Sequence, residues 1–423
     1  MTRRLLAWAR RRPKAALAGG VVLLALTVFG VVASGVAPIT ASSGHWAVTE
    51  WILQFAMRRS VTTHALLGPA PPVTLDRDAL VMQGAGHYEI GCRSCHGAPG
   101  QPVMPPVPGA MTPHPPALPP AVGTWDAREL FYIVKHGVKF TGMPAWPALH
   151  RDDEIWAMVA FLRRMPSLDA EGYARVAGHA VANVSDVVAE TPVGQSVAPD
   201  VVVQQCARCH GLDGLSRGLA ALPRLAGQRE EYLSNALSAY ATGRRFSGTM
   251  IPVAAALSPE ARAAAARYFA SLPAPPADDG RLSEATAPGE GAPAGAPPLS
   301  REAASREAPQ PDTATPTDAP TPSGDAVRGA DIARRGLPSQ DVPSCNQCHG
   351  PEAVNDAYPQ LAGQPREYLA RQLTLLQGRQ RGGSEYVQIM HEVANGLTAQ
   401  DIADVTAHYA SQVSGTSPAG TPP

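Results

Sequence analysis

From Ala15 to Ala37 the chain carries no charged residue over 23 positions. As a helix rising about 1.5 Å per residue this stretch would reach roughly 35 Å, enough to cross a hydrocarbon core of about 30 Å. The pattern predicts one transmembrane helix over 15–37. A cleaved leader is the rival, since small residues at 34–37 suit a peptidase, but leader h-regions are shorter, about 7–15 residues. Between His45 and His64, Trp46, Trp51, Ile52, Phe55 and Met57 precede Arg58 and Arg59. This reads as an amphipathic helix, either lying at the outer membrane surface or packed on the first domain. Three later stretches repeat at helical spacing. Asp152 to Met165 puts Ile155, Val159 and Leu162 on one stripe. Ser258, Pro259 and Glu260 read as N-cap, N1 and N2 of an Ala-rich helix through Tyr268 and Phe269. Thr398 with Asp401 resembles a capping box ahead of Ile402, Val405 and Tyr409. Helix follows helix, and the fold class expected is mainly α.

Charge orients the first helix. Arg3, Arg4, Arg10, Arg11, Arg12 and Lys14 precede it with no acidic residue between. Positive flanks stay inside, so residues 1–14 are expected in the cytoplasm and the rest beyond the membrane. The net charge of −1 gives no reason to expect nucleic acid as a partner. Aromatic residues make up only 5%, and much of the hydrophobic fraction is Ala and Val. Domains with so thin a core generally need a staple: disulfides, a metal or a bulky cofactor.

All six cysteines fall in three Cys-x-x-Cys-His runs: Cys92, Cys95 and His96; Cys206, Cys209 and His210; Cys345, Cys348 and His349. Their starts lie 114 and 139 residues apart, as in a repeated unit with variable spacers. Each unit has a short helical lead-in (Gly84 and Tyr88 in the first), the cysteines, a loop with proline, a methionine and a closing helix. Domains are expected at 76–170, 198–273 and 326–412. Glu171 to Ala198 reads as a linker. Residues 274–325, rich in Pro, Ala, Gly, Thr and acidic side chains, read as a disordered tether that would let the third domain swing between docking sites. The last ten residues read as a frayed end.

Cys-x-x-Cys-His is the attachment signature of haem c. Thiols at i and i+3 face one side of a helical turn and reach both vinyl groups of one haem, with the adjacent histidine beneath the iron. Zinc would want a fourth ligand that no run supplies. A thioredoxin-like pair would need a βαβ context, and a disulfide explains no histidine. The expectation is three covalently bound haem c groups.

The sixth iron ligand separates a carrier from an enzyme. Beyond Cys206 only Met250 and Met390 remain, 40 and 41 residues after His210 and His349. Packing alone would not ration methionine so evenly. His391 and His408 rival Met390 but break the parallel spacing. In the first unit Met104, Met111, Met143, Met158 and His136 all follow His96. Met104 and Met111 lie close to it in a Pro-rich loop, and Met158 faces the core of the closing helix. Met143, in Gly142-Met143-Pro144, sits where backbone can approach a flat ring. The axial pairs expected are thus His96 with Met143, His210 with Met250, and His349 with Met390. Such iron exchanges one electron with little rearrangement and raises its potential relative to histidine alone. The carbonyls of Pro223 and Pro359, with Pro116 a weaker counterpart, are candidates to orient the proximal rings.

With these residues in place the chain resembles the class I cytochromes c three times over, across about 85–170, 200–272 and 326–412. The second and third units are similar to the domains of small bacterial di-haem cytochromes. They share Pro-x-Leu-Ala-Gly-Gln followed by Tyr-Leu at 223–233 and 359–369, then Gly243-Arg244 and Gly378-Arg379. Val342-Pro343-Ser344 adds to the third unit, whereas the second has Val202 where the first has Tyr88, which implies a shorter lead-in. The first unit, with Gly142-Met143-Pro144-Ala145-Trp146, resembles membrane-attached mono-haem cytochromes. The resemblance implies three small class I cytochrome c domains in tandem. They would belong to a single-pass protein of a bacterial inner membrane, with its haems in the periplasm.

It further implies a carrier that passes single electrons to and from redox protein partners. These would be a periplasmic or membrane dehydrogenase or quinol-oxidising complex on one side and a terminal oxidase or other acceptor on the other. Tri-haem subunits of periplasmic alcohol and gluconate dehydrogenases are similar in haem count but differ in the anchor and the acidic tether. Two other classes stand beside this one. A peroxidase- or reductase-like enzyme would have one open-coordination haem, visible as a high-spin signal. A haem-based sensor or assembly factor would want an output module, which the sequence lacks.

Overall fold

The computed structural model describes residues 12–36, 40–72, 75–100, 106–178, 199–274, 322–353, 355–383 and 386–412. The structure is helical, and among the described residues the one β-type pairing is a single bridge between Leu337 and Val342. Helix α1, Pro13–Ala33, has Pro at its first turn, a mean hydropathy of 2.5 and no buried residue. It is long and apolar enough to cross a membrane. Most of the basic segment before it, and the body of the Pro-rich segment at 275–321, lie outside the described residues.

Helix α2, Ala47–Ala65, divides the two readings offered for it. Its C-terminal half packs on the first domain. Val61 and Ala65 are buried there, the Thr62 hydroxyl donates to Glu129 at 2.7 Å, and Arg58 stacks over Trp125 at 4.8 Å. Its N-terminal half leaves Val48, Trp51, Ile52 and Phe55 exposed.

The first domain is built on α3, Asp78–Gly91, crossing α5, Asp152–Arg164. Gly84 lies at the crossing, where a Cβ would overlap the Ala157 carbonyl. Between them α4, Ala127–His136, starts at a capping box formed by Asp126 and Glu129. Ile155, Val159 and Leu162 are buried as the stripe requires, and Met158 is core at 1% exposed. One expectation needs correction. Residues 171–198 read as a linker, yet α6, Ala170–Ala177, is a helix capped by Asp169. Its Tyr173 packs edge-on to Tyr88. Eight residues are too short for the periodicity test, and the Asx cap was the signal overlooked. The rest of that stretch, 179–198, is outside the described residues.

The second domain holds α7, Glu230–Ala241; α8, Met250–Ala256; and α9, Pro259–Ser271. Ser258 caps α9 by accepting from Ala261 N–H, as expected. The described part of its lead-in runs only from Asp200 to His210. The third domain holds α10, Ala326–Arg335; α11, Arg366–Gln377; α12, Val387–Asn395; and α13, Ala399–Ala410. Its α10 crosses α13 at Gly329, which sits on the Asp404 carbonyl as Gly84 sits on Ala157. The Thr398–Asp401 capping box is formed.

The third domain does not stand apart, contrary to the swinging arrangement expected of it. It is docked on the second by the repeated Pro-x-Leu-Ala-Gly-Gln motif. Gln228 donates to the Gln360 carbonyl at 3.0 Å and accepts from Gln360 N–H at 2.7 Å. Gln364 repeats the pair on Arg224, at 2.8 and 3.0 Å. Each glutamine thus grips the backbone one residue past the other motif's proline. Within each domain the motif's glycine N–H holds the end of the closing helix, Gly227 to Phe269 carbonyl and Gly363 to Tyr409 carbonyl.

Candidate functional site

Each Cys-x-x-Cys-His run forms a single helical turn: Arg93–His96, Ala207–His210 and Asn346–His349. His96 N–H bonds the Cys92 carbonyl and His349 N–H the Cys345 carbonyl, both at 2.9 Å. That bond stacks the histidine above the first cysteine, and the second thiol falls on the same side. Gly97 and Gly211 end two of the turns at φ of 72° and 73°, the left-handed backbone that glycine adopts without strain. None of the six thiols is joined in a disulfide, and all are partly buried. Among the described residues no group of three or more His, Cys, Asp or Glu could hold a metal ion.

The proximal rings are oriented by the carbonyls named from sequence, with one exchange. His349 Nδ1 meets the Pro359 carbonyl at 2.8 Å and His96 Nδ1 the Pro116 carbonyl at 3.1 Å. Pro116, taken as the weaker counterpart, makes its bond. The Pro223 carbonyl lies near His210 and favours its protonated form, but it accepts from the Ser216 hydroxyl. His210 Nδ1 is left without a hydrogen bond. Burial pushes all three imidazoles below their ordinary value, His210 to about 4, against the opposing pull of those carbonyls. Neutral imidazole is the form that ligates iron.

The second and third sites share one cavity of about 370 Å³ between their domains. Cys206, Cys209, His210 and Met250 line it from one side, and Cys345, Cys348, His349 and Met390 from the other. His391, the rival of Met390, turns away: its Nε2 bonds the Arg381 carbonyl at 2.9 Å. His408 lies on α13 beside Gln412. Neither lines the cavity. The cavity lining also carries Tyr232, Tyr368, Arg245 and Arg381, with Arg245 donating to the Tyr232 hydroxyl at 3.2 Å. The four were not singled out from sequence. Tyr232 and Tyr368 are the tyrosines of the repeated Tyr-Leu step, and that recurrence was the available signal.

In the first site Met143 is fixed by its backbone. Its N–H donates to the Thr141 hydroxyl at 3.1 Å, and its carbonyl accepts from Val138 N–H at 3.2 Å. His136 is exposed and lies on the Tyr132 ring, 4.6 Å between centroids. Met111, set aside for its closeness in sequence to His96, has its methyl packed on Gly142, beside Met143. Met104 lies outside the described residues. The donor set lining the second and third sites, two thiols, a neutral imidazole and a thioether apiece, fits a covalently held haem.

Comparisons with known proteins agree with this chemistry. A family model described as cytochrome C oxidase, cbb3-type, subunit III matches residues 79–162. The chain is 30% identical over 208 residues to the thiosulfate dehydrogenase electron acceptor of Stutzerimonas stutzeri, 48% of this chain and 77% of that protein. It is 27% identical over 218 residues to cytochrome c4 of Pseudomonas aeruginosa, 51% and 87% of the two chains. It is 39% identical to cytochrome c-554(548) of Halomonas halodenitrificans over 92 residues, 21% of this chain and 99% of that one. The crystal structure of reduced cytochrome c4 from Pseudomonas stutzeri matches half of this chain (50%) and 94% of its own, at a TM-score of 0.37 and 26% identity.

Proposed function

On the premise that this chain belongs to the class I c-type cytochromes, with di-haem c4-like domains, we propose that it is a membrane-anchored tri-haem electron carrier of a periplasmic respiratory chain. Haem c, when bound, supplies a one-electron redox couple. The rest is the work of this chain's residues. Cys92 with Cys95, Cys206 with Cys209, and Cys345 with Cys348 would fix the three groups covalently. His96, His210 and His349, with Met143, Met250 and Met390, are the residues that would hold the irons. Ligand identity and burial then set the potentials.

The observation that carries the reading is the shared cavity, where Met250 and Met390 line the wall with their own Cys-x-x-Cys-His runs while His391 and His408 do not. Sulfur and imidazole together leave no position for a substrate, which is what a carrier needs. Helix α1 is taken as an uncleaved anchor because its apolar stretch is longer than a leader's. For partners, two signs point in opposite directions along a chain of electron transfer. Relatives are named as electron acceptors of thiosulfate dehydrogenase, which supports a periplasmic dehydrogenase as donor. The first domain matches a family described as an oxidase subunit, which supports a terminal oxidase as acceptor.

The test uses purified holoprotein. Intact mass should exceed that of the chain by three haems, and Met250→Ala and Met390→Ala should each turn one haem high-spin and lower its potential. Fewer than three haems, or low-spin spectra throughout in either variant, would end the reading.

A further inference from the structure

The first domain meets the other two at a buried junction for which the carrier reading has no use. Trp146 donates from its indole N–H to Glu154 at 3.2 Å. Glu154 also accepts from the Ser247 hydroxyl at 2.7 Å and from Gly248 N–H at 2.6 Å, both in the second domain. The indole lies so close on Gly248 that a Cβ there would overlap the ring. Trp146 follows Met143 by three residues and Gly248 precedes Met250 by two. The methionine loops of the first and second sites therefore abut.

A second contact runs beside it. Helix α3 passes the second site at Gly86, where an added Cβ would stand 3.2 Å from Cys209 Sγ. His87, the next residue, lines the cavity with Cys209 and His210. It is 7% exposed, its Nδ1 has no partner, and its ring centroid is 5.7 Å from that of Trp146. Arg371 of the third domain ties the junction together, reaching Gln83 at 3.3 Å and the Ala221 carbonyl at 2.6 Å. Two glycines, one from each domain, stand at the closest approaches: a Cβ at 248 would overlap the indole, and one at 86 would crowd Cys209 Sγ.

We propose that Trp146 and His87 form the contact through which the first and second haem sites exchange an electron, Gly86 and Gly248 being the positions that let them approach. The exchange balances within the protein: one electron leaves the reduced site and enters the oxidised one, with no bond made and no other reactant. Both residues act by position, and the proposal rests on the three-haem reading above.

Pulse radiolysis of full-length holoprotein in detergent reads it, by following how an injected electron redistributes among the sites. In Trp146→Leu the rate between first and second sites should fall roughly tenfold or more, since small displacements at a contact cost rate steeply. Gly248→Ala, which pushes the indole off without removing it, should slow the same step. Trp146→Phe should keep most of the rate. Exchange between second and third sites, and all haem spectra, should stay as in the native protein. Native rates in both Trp146→Leu and Gly248→Ala, or equal slowing of the second-to-third step, would overturn the contact. An unmodified protein carrying fewer than three haems would instead overturn the reading beneath it.

Discussion

At the scale of single residues, the proximal histidines differ in their hydrogen bonds more than in their surroundings. His96 and His349 each hold a proline carbonyl, whereas the Pro223 carbonyl beside His210 also accepts from the Ser216 hydroxyl. A bond at Nδ1 raises the basicity of the ligating nitrogen and stabilises the oxidised iron. Ser216→Ala leaves the Pro223 carbonyl to His210 alone and strengthens its pull on the ring, and a redox titration should find the second site's potential lowered by roughly tens of millivolts, where 59 mV is tenfold. The first site offers a different experiment. With the Met111 methyl already packed on Gly142, Met143→Ala should leave part of the first haem low-spin, and the Met111→Ala/Met143→Ala double variant should abolish that remainder. An absorption spectrum unchanged between the single and double variants would remove Met111 from the site. Met250 and Met390, both on the cavity wall, could be singled out from the sequence because they are the only methionines in their half of the chain. The packing of Met111 on Gly142 could not be read that way, because distance along a chain says little about distance across a loop that folds back.

Among the elements, the crossing of lead-in and closing helix recurs in the first and third domains with a glycine at the contact. Gly84→Val would drive two methyls into the Ala157 carbonyl and Phe161 Cβ, and thermal unfolding should register a loss of about 1–3 kcal/mol or more. In the third domain a clasp adds to the crossing, since Arg328 pairs with both Asp401 and Asp404 of α13. Burial works to raise both carboxyls. The Thr398 hydroxyl and N–H on Asp401, the Asp325 N–H on Asp404, and Arg328 on both outweigh it and hold them below the usual range. A lowered folded value means the stabilisation is complete above the ordinary carboxylate value near 3.9 and drains away as pH falls through the lowered one. Chemical denaturation below about pH 4 should therefore find the third domain weakening, and Asp401→Asn should flatten that dependence. The closing helices and their caps could be read from the sequence because capping is local. Helix α6 escaped because eight residues carry too little periodicity to stand out from a spacer.

Over the whole molecule, the three domains are bound into one body by side chains that look unremarkable in isolation. The Pro-x-Leu-Ala-Gly-Gln repeat was visible, but its use was not, since a glutamine gripping another domain's backbone has the same composition as one facing water. Gln228→Ala with Gln364→Ala removes all four reciprocal bonds. Hydrogen exchange should then rise at Gln360 and Arg224, and solution scattering should report a larger radius, while the haem count holds. An unchanged radius would mean the wall of Tyr232, Tyr368, Arg245 and Arg381 suffices by itself. The cavity behind that wall has a bearing on biogenesis. Cys206, Cys209, Cys345 and Cys348 all line a space walled by all three domains, and a ligating enzyme must reach each thiol pair to join it to a macrocycle. Maturation is therefore expected to be sequential, the prosthetic groups going on while the domains are still separate and the domains clamping together afterwards.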